Sequence, residues 1–256
     1  MKLKFEEAQT PYQSGAQSAR VWTEQWAATE LYCPGCGSRP LTGYENNRPV
    51  ADLHCGGCAE EFELKSSKRS FGKKVVDGAY SAMSERLSSG SNPSLLLLAY
   101  DRDRLAVKNL IVVPKHFFTM GIIEKRRPLG PNARRAGWVG CNILYDRVPK
   151  AGRIPIVEDG HPLPQDEVIS RWRRSLFLAD KNEASRGWLV NVMRCVDALE
   201  RQEFTTDDAY GFAGELQAIY PNNRHVKEKI RQQLQVLRDN GWLEFVSRGR
   251  YRIVGR

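Results

Sequence analysis

The sequence predicts a mixed α+β or α/β domain with an inserted four-cysteine zinc knuckle, followed by a winged helix. Three observations carry that prediction. Two Cys-x-x-Cys pairs, Cys33/Cys36 and Cys55/Cys58, enclose the aspartate Asp52. Apolar runs at 95–100 and 105–113 suit central strands and lie between segments of helical spacing. After a polar stretch at 180–186, the chain changes to three helices and a terminal basic hairpin, the order of a winged helix. The expected division is therefore 1–181 and 182–256.

In chain order, Ala16, Ala19, Val21, Trp22, Trp26 and Ala27 space a helix over 14–30. The cysteine-bearing stretch at 31–65 is broken by Pro34-Gly35, Arg39-Pro40 and Gly56-Gly57. Residues 49–53 and 61–65 read as short strands joined by the second cysteine pair. A helix is expected over 78–87, and the charged turn 101–104 separates the two apolar strands. Further strands are expected at 138–144 and 153–157, with a basic loop over 125–137 before them. Val168, Ile169, Trp172, Leu176 and Phe177 space a helix over 166–178. Beyond the linker, helices are expected over 188–199, after a cap at Thr205 or Thr206, and over 224–240. Strands at 242–246 and 251–254 close the chain around Ser247-Arg248-Gly249-Arg250.

Composition limits the function classes. The 256 residues carry a net charge of +9, which favours a polyanionic partner over an acidic one. The longest apolar run, 95–100, is far short of a bilayer span. No apolar signal segment opens the sequence, so the expectation is a cytoplasmic protein of a bacterial or archaeal cell, without membrane association. Cys141 and Cys195 stand outside the pairs and read as small buried hydrophobes.

Two Cys-x-x-Cys pairs with 18 residues between them have the spacing of a four-thiolate zinc site. Each tight turn supplies two soft ligands, and four thiolates close a tetrahedral shell, which makes the Zn²⁺ structural. The alternatives are a redox dithiol or free thiols by chance. His54 is adjacent and reads as a strand residue rather than a ligand.

Alternate residues of a strand share a face, so Glu63 and Lys65 project together. A neighbouring strand carrying Asp52 can bring a second carboxylate beside them. Two carboxylates suit a hard cation such as Mg²⁺, which polarises a phosphodiester and activates water. A lysine orients that water and offsets charge on the phosphate. Glu61 shares the face and is a candidate outer partner. A Glu-x-Lys triplet also occurs on ordinary solvated strands, and only its setting raises its weight.

The helix over 224–240 has Val226, Ile230, Leu234 and Leu237 on one stripe and Arg224, Glu228, Arg231, Gln232 and Gln235 opposite, with His225 at the edge. Arg and Gln side chains can read guanine and adenine edges in a major groove. Lys227 and Lys229 flank that face, and Arg248, Arg250 and Arg252 can meet backbone phosphates from the hairpin. Residues 224–256 hold nine Lys and Arg against three Asp and Glu, consistent with a nucleic-acid face. An ordinary solvated helix is the alternative. Arg134, Arg135 and Trp138 place an aromatic beside a basic loop, where arginines reach phosphate and the ring can pack on a base substituent. Phe117, Phe118, Trp172 and Phe177 read as core.

At this point Tyr32-Cys33-Pro34-x-Cys36-Gly37, the segment 45–52, Glu60-Glu61-Phe62-Glu63-Leu64-Lys65, the segment 133–138 and the segment 227–235 can be taken together. Across nearly its whole length the chain resembles the DpnI-like methyl-directed Type II restriction endonucleases. The resemblance implies a PD-(D/E)XK catalytic domain followed by a winged helix, both reading the DNA site. It implies Asp52, Glu63 and Lys65 as catalytic residues, Asp52, Glu63 and Leu64 as the Mg²⁺ site, and the four cysteines as the Zn²⁺ site. It also implies Trp138 as the methyl-sensing side chain. Here the proline–aspartate pair is spread over Pro49-Val50-Ala51-Asp52, a spacing the family tolerates.

The expected function is Mg²⁺-dependent cleavage of double-stranded DNA at GATC sites carrying N6-methyladenine. No obligatory protein partner is expected, and a monomer is compatible with this activity. A methyl group is worth only about 1 kcal/mol of transfer energy, so strict dependence on it calls for two readings or for coupling readout to assembly of the site. The rivals are a non-enzymatic zinc-ribbon/winged-helix regulator and a structure-selective repair nuclease.

Overall fold

The computed structural model describes residues 1–6, 14–44 and 51–254, the side chain of Ala16 excepted. The motif residues at 45–50, the proline-led start of the expected strand at 49 and the packing of Ala16 lie outside it. The first helix, α1 (Gly15–Glu30), buries Ala19, Trp22 and Trp26, spaced three and four apart as one helix face requires, with Ala27 buried beside them.

Strands β1 (Leu41–Gly43), β2 (Leu53–Cys55), β3 (Glu61–Ser67) and β4 (Lys74–Ala79) lead to helix α2 (Tyr80–Ser89). Then come β5 (Ser94–Asp101), β6 (Ala106–Val113), β7 (Ile123–Lys125), β8 (Gly140–Leu144), β9 (Ile154–Glu158) and β10 (His161–Pro162). A seven-stranded sheet has the order β1-β2-β3-β5-β6-β9-β10, and β4-β8-β7 form a smaller one. Only the β3/β5 pairing in the large sheet is parallel.

The apolar run of β5 has a simple cause. Leu95 and Leu97 enter one core while Leu96, Leu98 and Tyr100 enter the other, so both faces of the strand are covered. Residues 78–79, expected at the start of a helix, instead finish β4, whose Val75 and Asp77 point inward while Val76 is 63% exposed.

Helix α3 (Gln165–Ser175) tightens into a 3₁₀ turn at Leu176–Leu178, which leaves Leu176 exposed and not on the expected inner stripe. The expected linker is shorter than 180–186. Asn182 accepts the Ser185 amide and starts α4 (Glu183–Ala198). The remaining elements are β11 (Glu203–Thr205), α5 (Thr206–Tyr210), α6 (Ala213–Ile219), α7 (Val226–Asp239), β12 (Leu243–Ser247) and β13 (Arg250–Ile253). Strand β11 and helix α6 were not anticipated. The sheet β11-β13-β12 completes the C-terminal helix-turn-helix unit. Thr205 and Asp208 form a reciprocal capping box at α5. One core cluster runs from Val75, Leu95 and Phe117 into α4 and α7. Among the described residues no helix is long and apolar enough to cross a membrane.

His116 sits in that interior, 4% exposed, with its ring edge-on to Trp172. Ser175 Oγ donates to the Trp172 carbonyl at 2.6 Å, so His116 Nε2 donates to Ser175 Oγ at 2.7 Å. Burial, with Arg186 and Lys115 adding to it, pushes the imidazole down to about 3 from 6.5. The native state therefore holds it neutral while an unfolded chain protonates it below pH 6.5. Stability attributable to this group is full above that pH and falls by about 1.4 kcal/mol per unit as pH drops toward the native value. Urea denaturation at pH 7 and 5.5 should show this fall, and His116→Gln should reduce it.

Candidate active site and metal centre

The two cysteine pairs fold as matching turns. The amide of Gly37 donates to the Cys33 carbonyl at 2.8 Å, and that of Ala59 donates to the Cys55 carbonyl at 2.9 Å. The residue after each pair takes a left-handed conformation, φ +85° at Gly37 and +59° at Ala59. Turned this way, all four Sγ atoms lie within 4.8 Å of one another, with Cys33–Cys58 at 3.6 Å and Cys36–Cys55 at 3.5 Å. A tetrahedral zinc with bonds of about 2.3 Å requires sulfurs roughly 3.8 Å apart. The donor set fits Zn²⁺ in size and chemistry. As free thiols the cysteines differ: burial raises Cys33 and Cys58, whereas at Cys36 burial is outweighed by hydrogen bonds with Ser38, Cys55 and Cys58, which lower it to about 6. His54 stays out of the cluster and stacks on Tyr44 at 4.5 Å. Cys141 and Cys195 are buried, as expected.

The second pair is the turn between β2 and β3, whose register sets Leu53 opposite Phe62 and His54 opposite Glu61. Asp52 immediately precedes β2 rather than lying within a strand. Its amide donates to the Phe62 carbonyl at 2.9 Å, its own carbonyl accepts from Tyr44 at 2.9 Å, and its Oδ2 accepts from the Leu64 amide at 2.8 Å. Leu64 lies past the end of the β2 ladder, where among the described residues its amide is met by the Asp52 side chain. A strand residue directs its N–H and C=O to the same side, so the Leu64 carbonyl faces that side too.

Glu63 and Lys65 share a face of β3, as strand alternation requires, and Lys65 Nζ lies 2.5 Å from Glu63 Oε1. The same ammonium lies 2.8 Å from Asp77 Oδ1, on β4 of the smaller sheet. Burial, with the charges of Asp77 and Asp52 adding to it, raises Glu63 to about 7 against the opposing Lys65. Burial works against the Lys65 charge, but Glu63 and Asp77 together raise its pKa. Asp77 is lowered, because Lys65 outweighs its burial. On α1, Arg20 reaches Asp52 Oδ1 at 3.0 Å and also pairs with Glu24. Arg20, Asp52, Glu63, Leu64, Lys65, Phe71 and Val76 line a cleft of about 450 Å³.

Asp52, Glu63 and Lys65 thus meet at one cleft. Glu61 does not join them, because the Tyr44 hydroxyl donates to it at 2.6 Å. Asp77, Arg20 and Glu24 escaped the sequence reading. The i, i+4 pairing of Arg20 with Glu24 was legible in the sequence, whereas nothing local marked Asp77.

The expected DNA-contact residues lie on two surfaces. On α7, Val226, Ile230, Leu234 and Leu237 are buried, while Lys227, Arg231, Gln232 and Gln235 are exposed, as are Arg224 and His225 just before it. Gln232 accepts from Lys229 at 2.9 Å, and the Lys227 ammonium lies 5.7 Å from the Tyr210 ring centre. Arg248 and Arg250 are exposed on the hairpin. Arg252 pairs with Glu203 at 2.6 Å and Glu244 at 3.2 Å, which offset its charge.

The second surface is the loop closed by the Leu129 amide donating to the Trp138 carbonyl at 2.9 Å. Arg134 and Arg135 are exposed there, and the Arg135 guanidinium sits 4.7 Å from the centre of the half-buried Trp138 ring. Trp138 precedes β8 rather than starting it.

A family model described as DpnI, Dam-replacing family, matches residues 1–181, and one described as Dam-replacing HTH domain matches residues 184–253.

Proposed function

This chain belongs to the Dam-replacing family of DpnI-like restriction nucleases, and on that premise we propose that it is a Type II, methyl-directed endonuclease that cleaves double-stranded DNA at GATC sites carrying N6-methyladenine. The observation that carries the catalytic reading is the convergence of Asp52, Glu63 and Lys65 on one cleft, with Asp52 fastened to the Leu64 amide. In this reading 1–181 is a PD-(D/E)XK catalytic domain and 182–256 the winged helix.

Asp52, Glu63 and the Leu64 carbonyl would hold Mg²⁺, since all are oxygen donors at one cleft and two carry charge. When bound, Mg²⁺ polarises the scissile phosphate and lowers the pKa of water. Lys65 orients the attacking water and offsets charge on the phosphate. Arg20, whose side chain is 61% exposed, would bind a phosphate oxygen if Asp52 held the cation. Arg134, Arg135, Arg224, His225, Lys227, Arg248 and Arg250 contribute backbone and edge contacts, and Arg231, Gln232 and Gln235 face the groove. In the cell the protein works in the cytoplasm.

Trp138 is the apolar wall for the methyl group. Arg135 covers one side of its ring, and Gly140 backs it so closely that an added Cβ would lie 2.8 Å from the ring carbons. Gly140→Ala should therefore displace the indole and lower the ratio of methylated to unmethylated cleavage by about 10-fold, the scale of one apolar contact. Cleavage rates on paired methylated and unmethylated duplexes measure that ratio.

The overall test is digestion with Mg²⁺ of plasmid from adenine-methylating and non-methylating hosts. Cutting is expected only of the first; equal cutting, or none, overturns the proposal. Binding without cleavage under any divalent cation would support a regulator, and methylation-independent cutting of junctions or flaps a repair nuclease.

A further inference from the structure

Among the described residues Lys65 pairs with two carboxylates, and they are not equivalent. Glu63, on the same strand, is the one the cation reading requires. Asp77 comes from β4, in a different sheet, and its side chain is only 5% exposed. Strand β4 is tied to β8 by a register that sets Asp77 opposite Cys141 and shifts just after it, between Asp77 and Ala79. That anchoring leaves the Asp77 carboxylate little freedom, whereas Glu63 has a longer side chain at the cleft.

We propose that Asp77 is a positioning residue that holds the Lys65 ammonium in place for cleavage after Glu63 turns to the cation. The inference rests on the proposed catalytic role of Lys65. Its physical basis is the cost of leaving a mostly covered ammonium unpaired. If Glu63 were the sole counter-ion, cation binding would release Lys65 at the moment its placement matters. Asp77 gives the ammonium a partner that the cation does not claim. Conversely, Lys65 is the cation paired with the buried Asp77 carboxylate. The strand pair thus links the smaller sheet to the chemistry on β3.

The test compares wild type, Lys65→Ala, Asp77→Asn and the double variant in single-turnover cleavage of a methylated GATC duplex with Mg²⁺. Asp77→Ser is made in parallel, and the variant that keeps the wild-type thermal transition is assayed. The expected result is a loss of about 100-fold in cleavage rate, the scale of a misplacement near 1 Å, with duplex affinity within twofold of wild type. The double variant should be no slower than Lys65→Ala, because Asp77 acts through Lys65. Cleavage by the Asp77 variant within threefold of wild type overturns the inference. So does a further loss on the Lys65→Ala background, or loss of the thermal transition in both Asp77 variants, which would assign Asp77 to the fold instead. If wild type does not cut, or Lys65→Ala cuts as well as wild type, the catalytic reading itself has failed. That outcome is distinct from an active Asp77 variant beside an inactive Lys65 variant.

Discussion

Stripping the thiolate-bound metal with a strong chelator should abolish DNA cleavage, and Zn²⁺, not excess Mg²⁺, should restore it. Cys33→Ser with Cys58→Ser should give the same loss without rescue. The reason lies in the connection between the two sites. Cys55 ends β2 and the turn through Cys58 leads into β3, while Asp52 immediately precedes β2 and Glu63 and Lys65 lie on β3. In the proposed reading the cysteines therefore hold the hairpin whose two arms carry the candidate catalytic carboxylates. A four-thiolate zinc site is worth on the order of 10 kcal/mol of binding energy coupled to folding, ample to fix a hairpin whose pairing register covers two residue pairs. Cys33 and Cys55 are almost fully covered, so demetallation would also leave buried thiols without their ligand. Metal content by atomic absorption should fall in parallel with cleavage. Cleavage that survives complete loss of zinc would overturn this coupling.

Asp52→Asn should leave the duplex bound and the cleavage rate lowered by far more than the roughly 100-fold typical of losing an outer-shell partner. Asparagine retains an oxygen for the Leu64 amide but removes the charge that pairs with Arg20 and that a hard cation requires. The separation of binding from cutting is the informative part, since α7 and the Trp138 loop are untouched. Duplex affinity measured by fluorescence anisotropy beside single-turnover cleavage checks it. Retained cutting would remove Asp52 from the site. The Mg²⁺ concentration giving half-maximal wild-type cleavage should also fall on Arg20→Ala, because that side chain now shares the Asp52 carboxylate.

Much of this protein is written locally. The cysteine spacing specified a tetrathiolate cluster, because each short turn sets the distance between its own two sulfurs. The six-residue apolar run at the centre of β5 marked a strand covered on both faces. The stripe of Val226, Ile230, Leu234 and Leu237 marked the inner side of α7. Alternation on β3 placed Glu63 beside Lys65. Each of these follows from geometry within one element or one turn.

What the sequence could not announce depends on contacts between elements far apart in the chain. Asp77 reaches Lys65 only because a second sheet packs β4 against the first. In β4 that packing buries an aspartate, Asp77, and leaves Val76 exposed, against the usual pattern. Glu61 was drawn away from the site by Tyr44, and Arg252 was paired with Glu203 and Glu244, partners that no periodicity reveals. Local patterns were enough for the four-cysteine cluster, the Glu63/Lys65 face and the inner stripe of α7, since backbone periods act over a few residues. Which charges pair emerges from the packing of distant elements, because a salt bridge depends on distance in space and not on separation along the chain.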